Sequence, residues 1–363
     1  MRRIASTPRA GWRETVRSQG LVYAEDVRYW DETAAYAFSM AEVLQLEEQT
    51  ERLYEMCLTA AGHVIETNRL ADFGVPAWAH DAVRSSWREQ PPSLYGRFDL
   101  RYDGTGNPKL LEFNGDTPTS VLEAAIIQWF WLQDTHPAHD QWNSLHESLV
   151  ATWQKFALDG PVHFAWSNLE ETYEDLMTVG YLAETAHQAG LEIKVTPMLD
   201  IAWDGREFRD SAGDPLRTCF KLYPWEWMLA EPYGRLALEP GTPTTWIEPS
   251  WKLLLSNKAL LAILWELYPG HELLLPAYLD GPRELSAYVA KPLHGREGAG
   301  ITINETPGAG HCYQEWMPLP DFDGNHPVLG SWIAGGEAAG LGIRESAGLI
   351  TDSSARFVPH YIL

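Results

Sequence analysis

The spacing of apolar residues changes period several times along the chain, and each change predicts an element. Across residues 31–70, Leu46, Leu53, Cys57, Ala60, Ala61 and Val64 recur at spacings of three, four and seven, with charges between them. That is the period of a helix with one apolar face. Pro91-Pro92 ends the pattern, and alternation over residues 95–114 predicts a β-hairpin around the turn-rich stretch 103–108. Asp116-Thr117-Pro118-Thr119 reads as a helix start with proline near the first turn, continuing through Leu122, Ile126, Trp129 and Gln133. From Pro161 the rhythm becomes strand, helix, strand: Val162–Trp166, then 173–189 closed by Gly190, then 191–195. Such alternation predicts an open α/β unit. Residues 201–250 are rich in Gly and Pro and are expected to be irregular. Ser256-Asn257 caps a predicted helix running to about Tyr268. Residues 288–304 read as strand, glycine-rich loop, strand, and short strands are expected from Gly330 on.

The hairpin carries the densest chemistry. If Tyr102 pairs with Lys109, Asp99 lies opposite Glu112 and Arg97 opposite Asn114. Side chains alternate along a strand, so these four share one face while Phe98, Leu100, Leu111 and Phe113 share the other. Directly opposed carboxylates repel and need a cation, a shared proton or solvent. Three oxygen-bearing groups without His or Cys suit a hard cation such as Mg²⁺, and Arg97 beside them suits a phosphate. A solvated, charged sheet face held by Arg97–carboxylate pairs fits the same spacing, and both readings stand.

A second candidate lies downstream. Lys291-Pro292 ends a strand, and a glycine-rich stretch from His294 to Gly300 follows. A loop of this kind between antiparallel strands is either a plain turn or a cradle that offers backbone N–H groups to phosphate, with Lys291 neutralising charge. It is not a Walker loop, since Gly-Lys-Ser/Thr is absent and no helix follows. Gln314-Glu315-Trp316-Met317 alternates polar and aromatic residues and is a candidate wall for a nucleobase. Arg344 sits alone on an apolar strand, and an Arg in that setting calls for an anionic partner, either a ligand or a neighbouring carboxylate.

Length and composition narrow the field. At 363 residues the chain suggests two or three packed units. The division read from the pattern is 1–160 (helix and charged hairpin), 161–250 (α/β region) and 251–363 (region with the glycine-rich loop). A net charge of -23 argues against nucleic acid as a partner. No run of 18 apolar residues predicts a membrane span, and Met1-Arg2-Arg3 is followed by no apolar core of a secretory signal. Three widely spaced cysteines, Cys57, Cys219 and Cys312, fit a reducing cytoplasm. Seventeen tryptophans mean either a Trp-rich core or a stacking surface for sugars or bases.

Taken together, Pro92-Ser-Leu-Tyr-Gly-Arg-Phe-Asp99, Leu111-Glu-Phe-Asn-Gly-Asp-Thr-Pro-Thr119, Glu123-Ala-Ala-Ile-Ile-Gln-Trp129, Lys221-Leu-Tyr-Pro-Trp-Glu226, Ser256-Asn-Lys-Ala-Leu260, Lys291-Pro292 with Arg296-Glu-Gly298, Gly342-Ile-Arg344 and Phe357-Val-Pro-His360 resemble the glutathionylspermidine synthase family in its synthetase region. The chain looks like the stand-alone members that lack an N-terminal amidase domain. The resemblance implies a mixed α+β and α/β architecture, an ATP-grasp fold with a preATP-grasp α/β region. It implies an ATP- and Mg²⁺-dependent ligase that makes an amide through an acyl-phosphate. Carried over by position, the metal ligands are Asp99, Glu112 and Asn114, and Arg97 and Arg344 act in catalysis. Nucleotide contacts fall on Arg97, Lys258, Lys291, Gly298, Gln314, Glu315, Leu349, Ile350 and Thr351. Substrate contacts fall on Thr117, Glu174, Asp175, Lys221 and Trp225. Gly115 stands where relatives often carry Ala. The implied partners are a small carboxylate, such as a peptide or amino acid, and an amine, possibly a polyamine drawn by the acidic surface. A homodimer is compatible with this picture, and neither nucleic acid nor a membrane belongs to it. Two other readings remain: a nucleotide-binding protein that has lost the chemistry, and a glycosidase using Asp99 and Glu112 as its carboxylate pair.

Overall fold

The computed structural model describes residues 1–22, 29–167, 173–296 and 298–363. Glu297, in the glycine-rich loop, lies outside the described residues. The long helix spans Met40–Glu66 and buries Leu46, Leu53, Cys57, Ala60, Ala61 and Val64 along one face. Ser39 starts it through a capping box: its backbone N–H donates to Glu42 Oε2 at 2.9 Å, and its hydroxyl accepts from the Glu42 N–H at 3.3 Å. The helix therefore begins later than the period alone predicts. Ala34–Phe38 is instead a wholly buried strand, fixed by antiparallel pairing with Arg2–Ala5 and parallel pairing with His360–Ile362. A short unbroken apolar run fits helix or strand, and the long-range pairing decides between them.

Three larger sheets shape the molecule. In the first, the hairpin strands Tyr95–Arg101 and Lys109–Asn114 continue into His326–Ala334, Glu337–Ser346 and Arg356–Phe357. The tail strands of nine and ten residues are longer than expected. The hairpin and the tail thus share one sheet, joining the segments 1–160 and 251–363. The second sheet is antiparallel, in the order Ala277–Tyr278, His311–Glu315, Tyr288–Pro292 and Thr302–Ile303. The third is parallel and drawn from the middle segment, with Val162–Trp166 between Ile193–Pro197 and Thr218–Leu222, and Thr245–Ile247 at the far edge. The helix Glu174–Gln188 makes the crossover. Residues 201–250 are therefore not irregular throughout, because Thr218–Leu222 is a fully buried inner strand. Lys221 breaks its apolar run, and that break hides the strand from a hydrophobicity reading.

Two further expectations shift. The helix predicted from Asp116 begins at Val121, passes through a π-turn at Glu123–Ile127 and ends as Gln128–Thr135. Asp116 does not cap it, because its carboxylate binds Lys221 and the Trp225 N–H. The Gln128 side chain donates to the Ala124 carbonyl at 2.6 Å and to the Leu341 carbonyl at 2.7 Å, taking up backbone acceptors beside the turn. Downstream the helix is Ala259–Leu267. Asn257 Oδ1 accepts from the Ala259 N–H at 2.9 Å as a cap should, but Ser256 Oγ accepts from the N–H groups of Gly115 and Asp116 at 3.0 and 2.8 Å. Trp131, Trp153, Trp225 and Trp332 are fully buried, so much of the tryptophan content is core. One apolar cluster packs the Met40–Glu66 helix and Ala259–Leu267 under the hairpin, and another fills the space between the first sheet and the parallel sheet.

Candidate functional site

The hairpin pairs Asp99 with Glu112 and Arg97 with Asn114, as the alternation predicts. The register beyond them slips by one: Arg101, not Tyr102, faces Lys109, and the shift falls between Asp99 and Leu100. Leu111 is the extra residue. This bulge puts Leu110 into the core in place of Leu111, which lines the cleft. It also turns two carbonyls toward the neighbouring sheet. The Leu111 carbonyl accepts from Lys291 Nζ at 2.7 Å, and the Leu110 carbonyl accepts from Gln314 Nε2 at 3.0 Å.

The charged face forms the floor of a cleft of about 760 Å³. Arg97 donates from Nε to Asp99 Oδ1 at 2.7 Å and from NH1 to the Thr119 carbonyl at 2.9 Å. Arg344 arrives from the Glu337–Ser346 strand and donates to Asp99 Oδ2 at 2.6 Å. Between them Asp99 pairs across the sheet with Gly330, which pairs with Gly342. A Cβ on Gly330 would stand 3.1 Å from Arg97 Cδ, so the glycine leaves room for the guanidinium to lie across the sheet. Burial works against the charge on Arg97, and Asp99 more than restores it.

Glu112 meets a second set of cations. Lys258 Nζ lies 3.2 Å from its Oε2, and Asn114 Nδ2 donates to its Oε1 at 3.1 Å. Burial alone would raise its carboxyl, but Lys258, Lys291 and Arg97 overcome that and hold it down at about 2. Lys291 behaves in the opposite way. Burial pushes its ammonium down to about 8, only partly offset by Glu112. Gln314 Oε1 accepts from Lys291 at 2.7 Å, so each is held by the other and by the bulged strand. Lys258 itself stands behind the floor, tied to the Gly295 carbonyl at 2.8 Å.

The walls come from several segments. Gly298, Glu315, Leu349, Ile350 and Thr351 line one part, and Thr117, Glu174 and Asp175 line another. Gly298 has φ of 71°, and a Cβ there would meet the Thr351 carbonyl at 2.7 Å, so only glycine lets the loop lie against the 349–351 turn. Thr351 Oγ1 is closed to solvent and has no hydrogen-bond partner among the described residues. Arg296 reaches over the cleft, donating to Thr117 Oγ1 at 2.9 Å and lying 4.9 Å from the Trp227 ring centroid.

Lys221 and Trp225 are placed differently from the rest. Both are buried in the core and neither lines the cleft. Lys221 Nζ donates to Asp116 Oδ1 at 2.7 Å, and the Trp225 N–H donates to Asp116 Oδ2 at 2.8 Å. They support the 115–120 wall from behind. Asp116, Ser256 and Arg296 stand in motifs visible in the sequence, but no site role is read for them there. Asp116 was visible as an acid beside the hairpin, but helix-cap and ion-pair roles share that signal, and nothing local points to Ser256.

The donor set fits a hard cation in kind, with two carboxylates and an amide oxygen. Among the described residues no group of three or more His, Cys, Asp or Glu side chains gathers as a metal centre. The cations on the floor, Arg97, Lys291 and Arg344, can meet an anion there beside the carboxylates of Asp99 and Glu112. A carboxylate pair for glycosidic cleavage is not what this floor presents, since Asp99 is neutralised by two guanidiniums. Among the described residues no helix is long and apolar enough to cross a membrane.

This is a mixed α/β protein whose cleft lies between a parallel-sheet unit and two antiparallel sheets. The chain matches the glutathionylspermidine synthase preATP-grasp family over residues 3–363, and it belongs to that family. It is 39% identical over 361 residues to a Haemophilus influenzae protein provisionally named an acid–amine ligase, covering 92% of this chain and 91% of that protein. It is 29% identical over 355 residues to a trypanothione synthetase of Crithidia fasciculata, covering 84% of this chain and 53% of the relative, so it spans about half that protein's length. A solved structure of a glutathione synthetase-like effector from Globodera pallida superposes with a TM-score of 0.58 at 10% identity, covering 97% of this chain and 96% of that one, a likeness of fold.

Proposed function

We propose that this protein is an ATP- and Mg²⁺-dependent ligase that joins a small carboxylate to an amine, with an ATP-grasp arrangement of its nucleotide site. The observation that carries this reading is the convergence of Arg97, Asp99, Glu112 and Arg344 from one sheet with Lys291 and Gln314 from another on a single cleft. The segment 251–363 supplies the nucleotide side, 1–160 the metal and phosphate floor, and 161–250 part of the substrate wall through Glu174 and Asp175. Membership in a family with amide-forming relatives agrees with it.

A substrate carboxylate oxygen attacks the γ-phosphorus of ATP, the bond to the ADP oxygen breaks, and an acyl-phosphate forms. The amine nitrogen then attacks the acyl carbon, phosphate leaves, and the nitrogen gives up its proton to complete the amide. The protein's part is positioning and charge neutralisation. Lys291 holds the phosphates, Lys258 orders Glu112 from behind the floor, and Arg97 and Arg344 neutralise the oxygens of the transferring group. Mg²⁺ on Asp99, Glu112 and Asn114 would supply further neutralisation of phosphate charge. Gln314, Glu315 and the 349–351 turn bound the nucleotide. Thr117, Glu174 and Asp175 face the substrates, and the carboxylates suit a cationic amine. The loop around Gly298 keeps water from the acyl-phosphate. Three buried, unpaired cysteines fit action in the reducing cytoplasm.

The test is to screen amino acids, small peptides and polyamines in pairs for stimulated ADP formation with Mg²⁺, and to weigh the product by mass spectrometry. A conjugate one water lighter than its two parts is the expected result. A Mg²⁺–ATP thermal shift with no turnover on any pair would favour a nucleotide-binding protein without ligase chemistry.

A further inference from the structure

The carboxylate oxygens that a metal would use on the cleft floor are already engaged. Asp99 Oδ1 accepts from Arg97 Nε at 2.7 Å, and Oδ2 accepts from Arg344 at 2.6 Å and Arg97 NH2 at 3.3 Å. Glu112 Oε2 faces Lys258 at 3.2 Å, and its Oε1 accepts from Asn114 at 3.1 Å. A bare divalent cation entering here must push a guanidinium off a carboxylate and leave that guanidinium without an anion, which is costly in a partly buried site.

The two arginines are not equally held. Arg97 is tied to the Thr119 carbonyl and lies 5.8 Å from the Trp332 ring centroid. Its side chain is 8% exposed, against 19% for Arg344. Among the described residues Arg344 is held by Asp99 alone. It is the partner able to leave, and a phosphate is the ligand that would draw it, because a guanidinium fork matches phosphate oxygens.

We propose that Arg344 makes this site selective for a metal–polyphosphate chelate over the free divalent cation, by occupying Asp99 until phosphate takes the guanidinium. The proposal rests on the ligase reading for the identity of the chelate and adds what the floor does before that chelate arrives. Binding of metal and of nucleotide is then mutually reinforcing, each raising the affinity for the other by the same factor.

The experiment uses Mn²⁺ as the metal probe, read by loss of its free electron paramagnetic resonance signal, on the full chain with and without a non-hydrolysable ATP analogue. Calorimetry reports the analogue's own binding. In the wild type the analogue tightens Mn²⁺ binding by about 30-fold, within the usual range of coupling between sites. In Arg344→Met, Mn²⁺ alone binds on the order of tenfold tighter than in the wild type, and the enhancement by nucleotide shrinks in proportion. Arg344→Lys falls between and carries the comparison if the Met variant does not fold, which circular dichroism decides. Equal Mn²⁺ affinity with and without the analogue, or no gain in the Arg344 variants, overturns the proposal while leaving the ligase reading intact. Binding of neither metal nor analogue removes both.

Discussion

Replacing Lys221 by Met separates two roles that the same residue could fill. Lys221 and Asp116 are 0% and 1% exposed at their side chains and lie 2.7 Å apart. Removing the cation leaves the buried Asp116 carboxylate with the Trp225 N–H at 2.8 Å as its remaining hydrogen-bond donor among the described residues. Breaking a buried pair in this way costs about 3–5 kcal/mol. For a chain of 363 residues unfolding as one unit, at about 2.1 cal/mol/K of unfolding entropy per residue, 4 kcal/mol corresponds to a Tm lower by about 5 °C. The double variant Asp116→Asn, Lys221→Met removes the stranded charge yet keeps an acceptor for Trp225, and it recovers about half of that loss. Thermal unfolding followed by circular dichroism, without ligands, reads both values. If Lys221→Met changes Tm by less than about 1 °C and instead raises the KM of one substrate, the lysine belongs to the substrate site and the supporting role is refuted.

Three further outcomes follow from the cleft. A polyphosphate favours the charged form of Lys291, which burial has brought down to about 8. ATP affinity is therefore level below about pH 8 and falls toward tenfold per pH unit above it, with one proton taken up on binding. Calorimetry in buffers of different ionisation enthalpy measures that proton, and Lys291→Met abolishes the slope. Gly298→Ala forces a Cβ to 2.7 Å from the Thr351 carbonyl at a positive φ, and the strain of about 1–2 kcal/mol weakens ATP binding on the order of tenfold, seen in a nucleotide titration. Gly330→Ala places a Cβ 3.1 Å from Arg97 Cδ, displacing the guanidinium and lowering kcat more than it raises the KM for ATP.

The floor of the site was legible in sequence because alternation is a local rule. Arg97, Asp99, Glu112 and Asn114 fall on one face whether the hairpin is read from its pattern or seen in three dimensions. What failed locally was the end of the hairpin, since a bulge at Leu111 leaves no mark in a two-residue period. Long-range pairing was less legible still. The Tyr95–Arg101 strand binds His326–Ala334 more than two hundred residues away, and only that pairing brings Arg344 to Asp99. The family resemblance alone puts Lys221 on the substrate side, and its partner Asp116 lies 105 positions earlier, beyond any local pattern. Ser39 and Glu42, by contrast, mark a helix start at capping-box spacing, and that start lies inside the helix expected over 31–70.

The bulge that spoiled the register has a structural use. Without it, successive carbonyls of this edge strand would point to opposite sides, and Leu110 and Leu111 would not both face the second sheet. With it, they accept from Gln314 and Lys291, two residues of the other antiparallel sheet. The strand that carries Glu112 and Asn114 is thereby tied to the strands that carry Lys291 and Gln314. A shift of one sheet against the other breaks one hydrogen bond from a charged donor, worth about 1.5–3 kcal/mol, and one from a neutral amide, worth about 0.5–1.5 kcal/mol. The two sheets therefore move as one body, and adjustment to a ligand falls to the parts that are tied less firmly: Arg344, with its single carboxylate partner, and the glycine-rich loop at Gly298. This division accords with a floor built on strands and with the proposed phosphate-responsive groups, Arg344 and the loop at Gly298, standing at its edge.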